Sequence, residues 1–528
     1  MKKSIHLLRL ATYSLSILLL LSGCSEDPNE AANKLFVEAS KQFDQARAET
    51  TYKASWQAYT EAAAKLDQIT SKYQTSNIAV SLVSGQAKLS NYSLDKFRAV
   101  EDPLKRLAEA EQSPLSFAYL LTENLDIEDW EKKSLLNDII ISLAMSGDME
   151  KASEIINSSM DAKDRDSLLL EALFEVADSG DYSRATTLKE SITESSPKAM
   201  ASYAIAKALA KAGELKKAQQ MLDQTEGLLA SIEDQNEKAY CRVIQAEALI
   251  EAGQTDKAKQ IVLAELEKAK SAQYKSYVLI NIVRAFVKLN QFESAVTAAS
   301  LLEDKDRQVI ELSLTAKALA EQGDKKQAEQ ILASATKLAA DVEKDYKAKY
   351  ALEKIASVHA EIGNYDEALE TIQAIPFSPN RTSSLASVAK GCAASGDTEK
   401  ALSMMKAIAD NLGRAEVLCA IANEHFEKGE SEFALYYLSQ ACEQLKAEEK
   451  GYKVAFAIDD IVEGYHSSNN KEQGLNAVFD LLQQIQSDQD KAKILTISSK
   501  VWTPSDNNIN RLRTMLHDQF AIGRFWRT

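Results

Sequence analysis

The sequence predicts an all-α protein, a right-handed α-α superhelix (solenoid) of about ten or eleven helical hairpins behind an irregular helical N-terminal part. Three observations carry that expectation. The 528 residues include only 17 Gly and 7 Pro, too few turn formers for a sandwich or barrel of this length. Turn residues recur at Gly147, Gly180, Gly213, Gly253, Asn290, Gly323, Gly363, Gly396, Gly429 and Asn469, spaced 33 to 40 residues apart. Apolar residues cluster at eleven, eight, seven and four positions before each turn, the i, i+3, i+4, i+7 stripe of an amphipathic helix.

Each column has a local reason. A helix that ends in the left-handed region favours Gly there, and Asn is the next best residue, as at Asn290 and Asn469. Acidic or amide residues follow every turn residue, from Asp148 to Asn470, where a second helix would begin with free amide groups. Five residues after the turn stands a small residue, Ala152, Ala185, Ala218, Ala258, Ala295, Ala328, Ala368, Ala401, Ala434 and finally Gly474. A small residue there lets the two helices approach closely. The 40-residue spacings add seven residues across a helix pair, about one turn to each helix.

These columns resemble the tetratricopeptide repeat, a hairpin of about 34 residues with a turn Gly and an Ala five later. The resemblance covers residues 131–490. It departs from the family in lacking the closing Pro of most repeats and in replacing the early aromatic mostly by Leu, as at Leu136, Leu169 and Leu279. What it implies is a stack of tetratricopeptide-like hairpins that bury one another's faces. Residues 30–130 are less regular, although Ala62 to Ala79 looks like the hairpins of envelope-assembly lipoproteins. Residues 491–528 are expected to form a degenerate last hairpin that caps the stack with a helix holding Leu512, Leu516 and Phe520. The basic, aromatic end of that segment, including Arg513, Phe525 and Trp526, is read as part of the cap.

At the N-terminus, Lys2, Lys3 and Arg9 precede a short apolar run, the pattern of a secretory signal. The following Leu21-Ser22-Gly23-Cys24 resembles the lipobox of bacterial lipoproteins. That resemblance implies removal of residues 1–23, a covalent lipid on Cys24, and a tether over residues 24–29 that reaches at most about 20 Å. Ser25, rather than Asp, resembles the outer-membrane sorting class, which implies the periplasmic face of the outer membrane, with the inner membrane or cell surface as alternatives. The net charge is -16, and loss of the three basic residues among 1–23 makes the mature chain about -19. So acidic a surface repels nucleic acid and anionic lipid. Beyond Cys24, the cysteines Cys241, Cys392, Cys419 and Cys442 fall among apolar neighbours in helical segments and read as buried thiols, with Cys419 and Cys442 placed so that they could pair.

In tetratricopeptide proteins the first helices line a concave groove. Positions thirteen, ten and six before the turn would then place Tyr203, Tyr240, Tyr277 and Tyr350 with Lys207, Glu247, Arg284, Lys317 and Lys390 on one surface suited to a peptide or protein partner. Tyr240, Tyr277 and Tyr350 follow the long spacings, so packing against the lengthened helix also accounts for them. Arg242 and Gln245 break two core columns within one hairpin, either as a polar site or through a small rotation of the helix. His359, Cys392, His425 and Tyr465 share a column on successive first helices about 8 to 10 Å apart, so the two histidines, two repeats distant, cannot share one ion and no metal is expected. No phosphate loop, dinucleotide fingerprint, zinc-protease motif or serine elbow occurs. The resulting expectation is a non-enzymatic, membrane-anchored protein scaffold without a cofactor other than its lipid. The alternatives are a cell-wall enzyme or its accessory, and a solute-capture lipoprotein.

Overall fold

The computed structural model describes residues 27–526, apart from 160–161, 272–273, 343–345, 376–377 and 449–450. The signal-like segment and Cys24 lie outside the described residues. Every regular element among the described residues is a helix, and one isolated bridge joins Leu89 to Tyr92. None of these helices is long and apolar enough to cross a membrane. The chain forms two compact units, one of residues up to Leu120 together with Pro504–Thr528, the other of Leu121–Thr503.

The chain begins with α1 (Pro28–Ala48), α2 (Tyr52–Lys72), α3 (Asn77–Val83), α4 (Leu94–Ala99), α5 (Glu101–Ala110) and α6 (Pro114–Glu123). Ten hairpins follow. They are α7 (Asp129–Ser146) with α8 (Met149–Ser159), α9 (Ala162–Asp178) with α10 (Tyr182–Ser191), α11 (Ser195–Lys211) with α12 (Leu215–Ser231), and α13 (Gln235–Glu251) with α14 (Thr255–Ala269). Next come α15 (Ser276–Lys288) with α16 (Phe292–Ala299), α17 (Lys305–Glu321) with α18 (Lys325–Ala339), and α19 (Tyr346–Glu361) with α20 (Tyr365–Gln373). The last are α21 (Ser378–Ala394) with α22 (Thr398–Met405), α23 (Asn411–Glu427) with α24 (Ser431–Lys446), and α25 (Gly451–Ser467) with α26 (Lys471–Leu482). An eleventh first helix, α27 (Asp488–Ser498), runs into a short 3-10 turn, and α28 (Asp506–Gln519) and α29 (Ile522–Phe525) end the chain.

The ten turn residues all carry positive φ, from 55° at Asn290 to 95° at Gly323. At each, a backbone N–H just past the helix returns to a carbonyl in its last turn, as Asp324 N does to Leu319 O at 3.2 Å, which satisfies carbonyls that the helix leaves free. The Ala column is buried throughout, and a Cβ on Gly474 would meet Tyr465 Cβ at 2.8 Å. Small residues here set how near the paired helices come.

Successive first helices pack side by side, α7 on α9, α9 on α11, and onward to α25 on α27. The last of them, α27, packs on the first, α7. The solenoid therefore closes on itself, with eleven inner helices running in one direction and the second helices outside them. Eleven helices at a usual spacing of 8–10 Å surround an opening on the order of 20 Å across, before side chains are counted.

Residues 506–525 group with the N-terminal residues in the other compact unit. In that unit Leu512 and Leu516 are buried, Trp526 meets Phe43 edge-on at 5.7 Å, and the Tyr52 hydroxyl donates to Phe520 O at 2.8 Å. Its organising charge is Glu111, which is fully buried. The Glu111 carboxylate accepts from the first amides of α2, Tyr52 N and Lys53 N, both at 2.9 Å, and lies 2.7 Å from His517 Nε2 of α28.

Candidate functional site

The inner helices hold most of the groove residues expected from the sequence, but not Tyr203. Its ring is fully buried in the core, and its hydroxyl has no hydrogen-bond partner. The reason lies in α11, where Ala199, Ala201, Ala204, Ala206, Ala208 and Ala210 leave space that one large ring fills. Tyr240 is half-buried and meets the exposed Tyr277 edge-on at 5.4 Å.

The charged members are already engaged with neighbouring inner helices. Lys207 of α11 donates to Glu247 of α13 at 2.9 Å, and Glu247 also lies 2.9 Å from Lys288 of α15. Arg284 of α15 reaches Glu311 of α17 at 3.0 Å, and Lys317 of α17 reaches Glu361 of α19 at 2.5 Å. Lys390 of α21 donates to Glu416 of α23 at 2.7 Å. Burial alone would lift the Glu247 carboxyl, but Lys288 and Lys207 hold it below the usual range. Desolvation acts against the charge on Lys207, and Glu247 more than offsets it. These cations join one repeat to the next.

The exposed aromatic residues have a different distribution. Trp130, Tyr277, Tyr346, Tyr350 and Tyr452 are exposed within the first five residues of inner helices α7, α15, α19 and α25, while the equally exposed Phe433 and Tyr436 lie on outer helix α24. Because the inner helices run in one direction, these rings share one rim of the closed array. Tyr346 and Tyr350 stand 6.5 Å apart edge-on, with the Lys349 ammonium over the Tyr350 ring. Trp130 escaped the repeat columns because it lies seventeen residues before its turn, beyond the thirteen that the columns cover, as do Tyr346 and Tyr452. Its position at a helix start was the available signal.

Arg242 and Gln245 face away from the opening. They form the floor of a cleft of about 460 Å³ between outer helices α12 and α14. Gln245 donates to Glu226 Oε1 at 2.5 Å, and its own Oε1 is buried without a partner. Glu265, only 2% exposed, accepts from Lys268 Nζ at 2.7 Å and from the Tyr274 hydroxyl at 2.9 Å, with Arg242 Nε at 3.8 Å. Glu265 was not singled out by its sequence. The signal was present twelve residues after the turn, where other hairpins carry Ile192, Leu302, Ile375, Ile408 and Leu481.

The remaining candidates are structural in their surroundings. His359 is buried, and desolvation holds its imidazole below the ordinary range. His425 Nδ1 lies 2.6 Å from Glu430 and its ring stacks on Tyr437. Among the described residues no three His, Cys, Asp or Glu side chains are grouped to hold a metal ion. Cys241, Cys392, Cys419 and Cys442 are buried free thiols, and burial pushes the Cys392 thiol up to about 11 and that of Cys442 to about 12. Such groups stay protonated near neutral pH and are poor nucleophiles.

No family model and no curated protein matches this chain. Among solved structures it is similar to Ton1535 from Thermococcus onnurineus NA1, at 15% identity and a TM-score of 0.23, over 61% of this chain and 97% of that one. It is also similar to the Cut9-Hcn1 hetero-tetramer of APC/C, at 11% identity and a TM-score of 0.21, over 97% and 94% of the two chains. A circular tandem repeat protein matches at 12% identity and a TM-score of 0.13, over 94% and 97%. These superpositions are shallow, and the fold assignment rests on the helices themselves.

Proposed function

We propose that this protein is a lipid-anchored scaffold of a bacterial envelope, held through Cys24 at the periplasmic face of the outer membrane, that docks protein partners on the aromatic rim of its closed helical array. The observation that carries this reading is the gathering of Trp130, Tyr277, Tyr346, Tyr350 and Tyr452 at the starts of inner helices. Exposed Trp and Tyr side chains supply large contact area at small conformational cost and are enriched in protein interfaces. The paired cations of the inner surface support a mechanical role for that surface, and they leave the rim as the better candidate for contact.

Photo-crosslinking from Tyr350 and Trp130 in intact cells, followed by purification from membranes, tests the docking. A discrete crosslinked protein that disappears when both Tyr350→Ser and Trp130→Ser are introduced is the expected result. A partner retained by that double variant would overturn the rim as its site. The anchor has its own test. Cys24→Ala should abolish labelling by a fatty-acid probe and leave the precursor unprocessed, and continued labelling would overturn the lipoprotein assignment.

A further inference from the structure

The hairpin formed by α13 and α14 departs from all the others, and it does so in three core columns together. Eight residues before the turn the chain places Ile139, Ile205, Ile282, Ile355 and Ile421 in other repeats, but Gln245 here. Eleven before the turn it places Leu at most repeats, but Arg242 here. Twelve after the turn it places the buried carboxylate of Glu265. A small rotation of α13 does not remove the polar groups from the core side, because Gln245 is only 5% exposed. A buried carbonyl oxygen without a donor is destabilising, and Gln245 Oε1 is such an atom at the floor of the cleft.

The cleft above it is polarised from wall to wall. Asp223 and Glu226 of α12 stand on one side, and Lys257 and Lys268 of α14 stand on the other, with Lys268 paired to the buried Glu265 of the same wall. Leu222, Leu249 and Ile261 supply an apolar patch between them. At about 460 Å³ the space lies within the range of small-molecule sites. A ligand that satisfied both walls would carry an ammonium at one end and a carboxylate at the other, with a donor for Gln245 and an aliphatic group for the patch.

We propose that this cleft binds a small zwitterion, a dipeptide with both termini free. The ammonium meets Asp223 and Glu226, the carboxylate meets Lys257, the one cation of that wall not paired with Glu265, and the peptide N–H donates to the Gln245 amide oxygen once that side chain turns into the cleft. The site lies among the outer helices and needs no protein partner, so it stands or falls apart from the scaffold reading.

Titration calorimetry on the full chain with leucyl-alanine, N-acetyl-leucyl-alanine and leucyl-alanine amide tests it. Saturable binding of the free dipeptide, weakened about ten-fold or more in each blocked form, is expected. Gln245→Leu should remove the binding while leaving the melting temperature equal or higher, since it replaces the orphaned amide with an apolar group. Lys257→Glu, an exposed position, should weaken binding about ten-fold and provides the same test if the core variant does not fold. Absence of any heat from the free dipeptide at about 10 mM would overturn the proposal. So would equal affinity for the blocked forms, or full affinity in Lys257→Glu.

Discussion

Two arcs of the closed array use charge in opposite ways. From α11 to α23, cations and carboxylates alternate across neighbouring inner helices, and Glu247 bridges Lys207 and Lys288 over three of them. Around the closure, from α25 through α27 and α7 to α9, carboxylates crowd together. Burial raises the Asp138 carboxyl, and Glu171 and Asp459 add to the effect against Lys493. Burial raises Asp460 likewise, with Asp459 beside it and Lys390 opposing. Lys500 offsets part of this excess by reaching Asp459 at 2.8 Å and Glu463 at 3.3 Å. The first arc joins repeats that are neighbours in sequence, so complementary charges can sit one repeat apart. The second joins the two ends of a long array, and its strength rests more on apolar packing than on charge.

The contrast can be broken most severely by sterics within the paired arc. Gly391 of α21 lies so near α19 that a Cβ would meet Ser357 O at 2.7 Å and Ala360 Cβ at 2.8 Å. Gly391→Val should part the two helices and cost about 3 kcal/mol, read by chemical denaturation. Glu247→Ala leaves two cations facing one another and should cost about 1–2 kcal/mol, with Lys207→Met recovering part of the loss in the double variant. Asp460→Asn at the closure should have the opposite sign, neutral to about 1 kcal/mol stabilising. If Asp460→Asn destabilises as much as Glu247→Ala, the two arcs do not differ in the way described.

The smallest effect is in pH. Glu247 is held below its ordinary value in the folded protein, so the stability from its pairs is complete above about pH 4.5 and is lost as pH falls through the lowered value. Asp138 and Asp460 are held above theirs, so the folded state takes up protons first and the closure gains stability as pH falls through the raised values toward the ordinary carboxylate range. Hydrogen exchange resolved by helix should show protection in α25, α27 and α7 rising as pH falls through the raised Asp138 and Asp460 values, with α11, α13 and α15 unchanged until the lowered Glu247 value is reached. Equal behaviour of both sets would remove the distinction.

The hairpins were legible because their determinants are local. A left-handed turn requires Gly or Asn within a window of one residue, and an Ala five positions later reports a close helix contact directly. Closure was not legible, since it depends on small rotations summed over eleven inner helices, none of which leaves a mark in one repeat. The same holds for the contact of the C-terminal helix with Glu111, which lies some four hundred residues earlier in the chain and leaves no local mark. Tyr203 was placed on the groove by its column, while its burial follows from the alanines around it, a property of composition and not of register. Gln245 and Arg242 stood out because they violate columns. Glu265 violates one equally, but the second helix had been read through its Ala position alone.

An open stack of hairpins can lengthen by tandem duplication, since each added copy finds the same neighbour and only the ends move. A ring permits no such gradual growth. Each of the eleven inner helices takes up roughly 33° of a full circle, and a twelfth would force every joint to readjust at once. The number of hairpins is thereby an integer imposed by geometry, and inheritance of this architecture depends on preserving the count as well as the pattern.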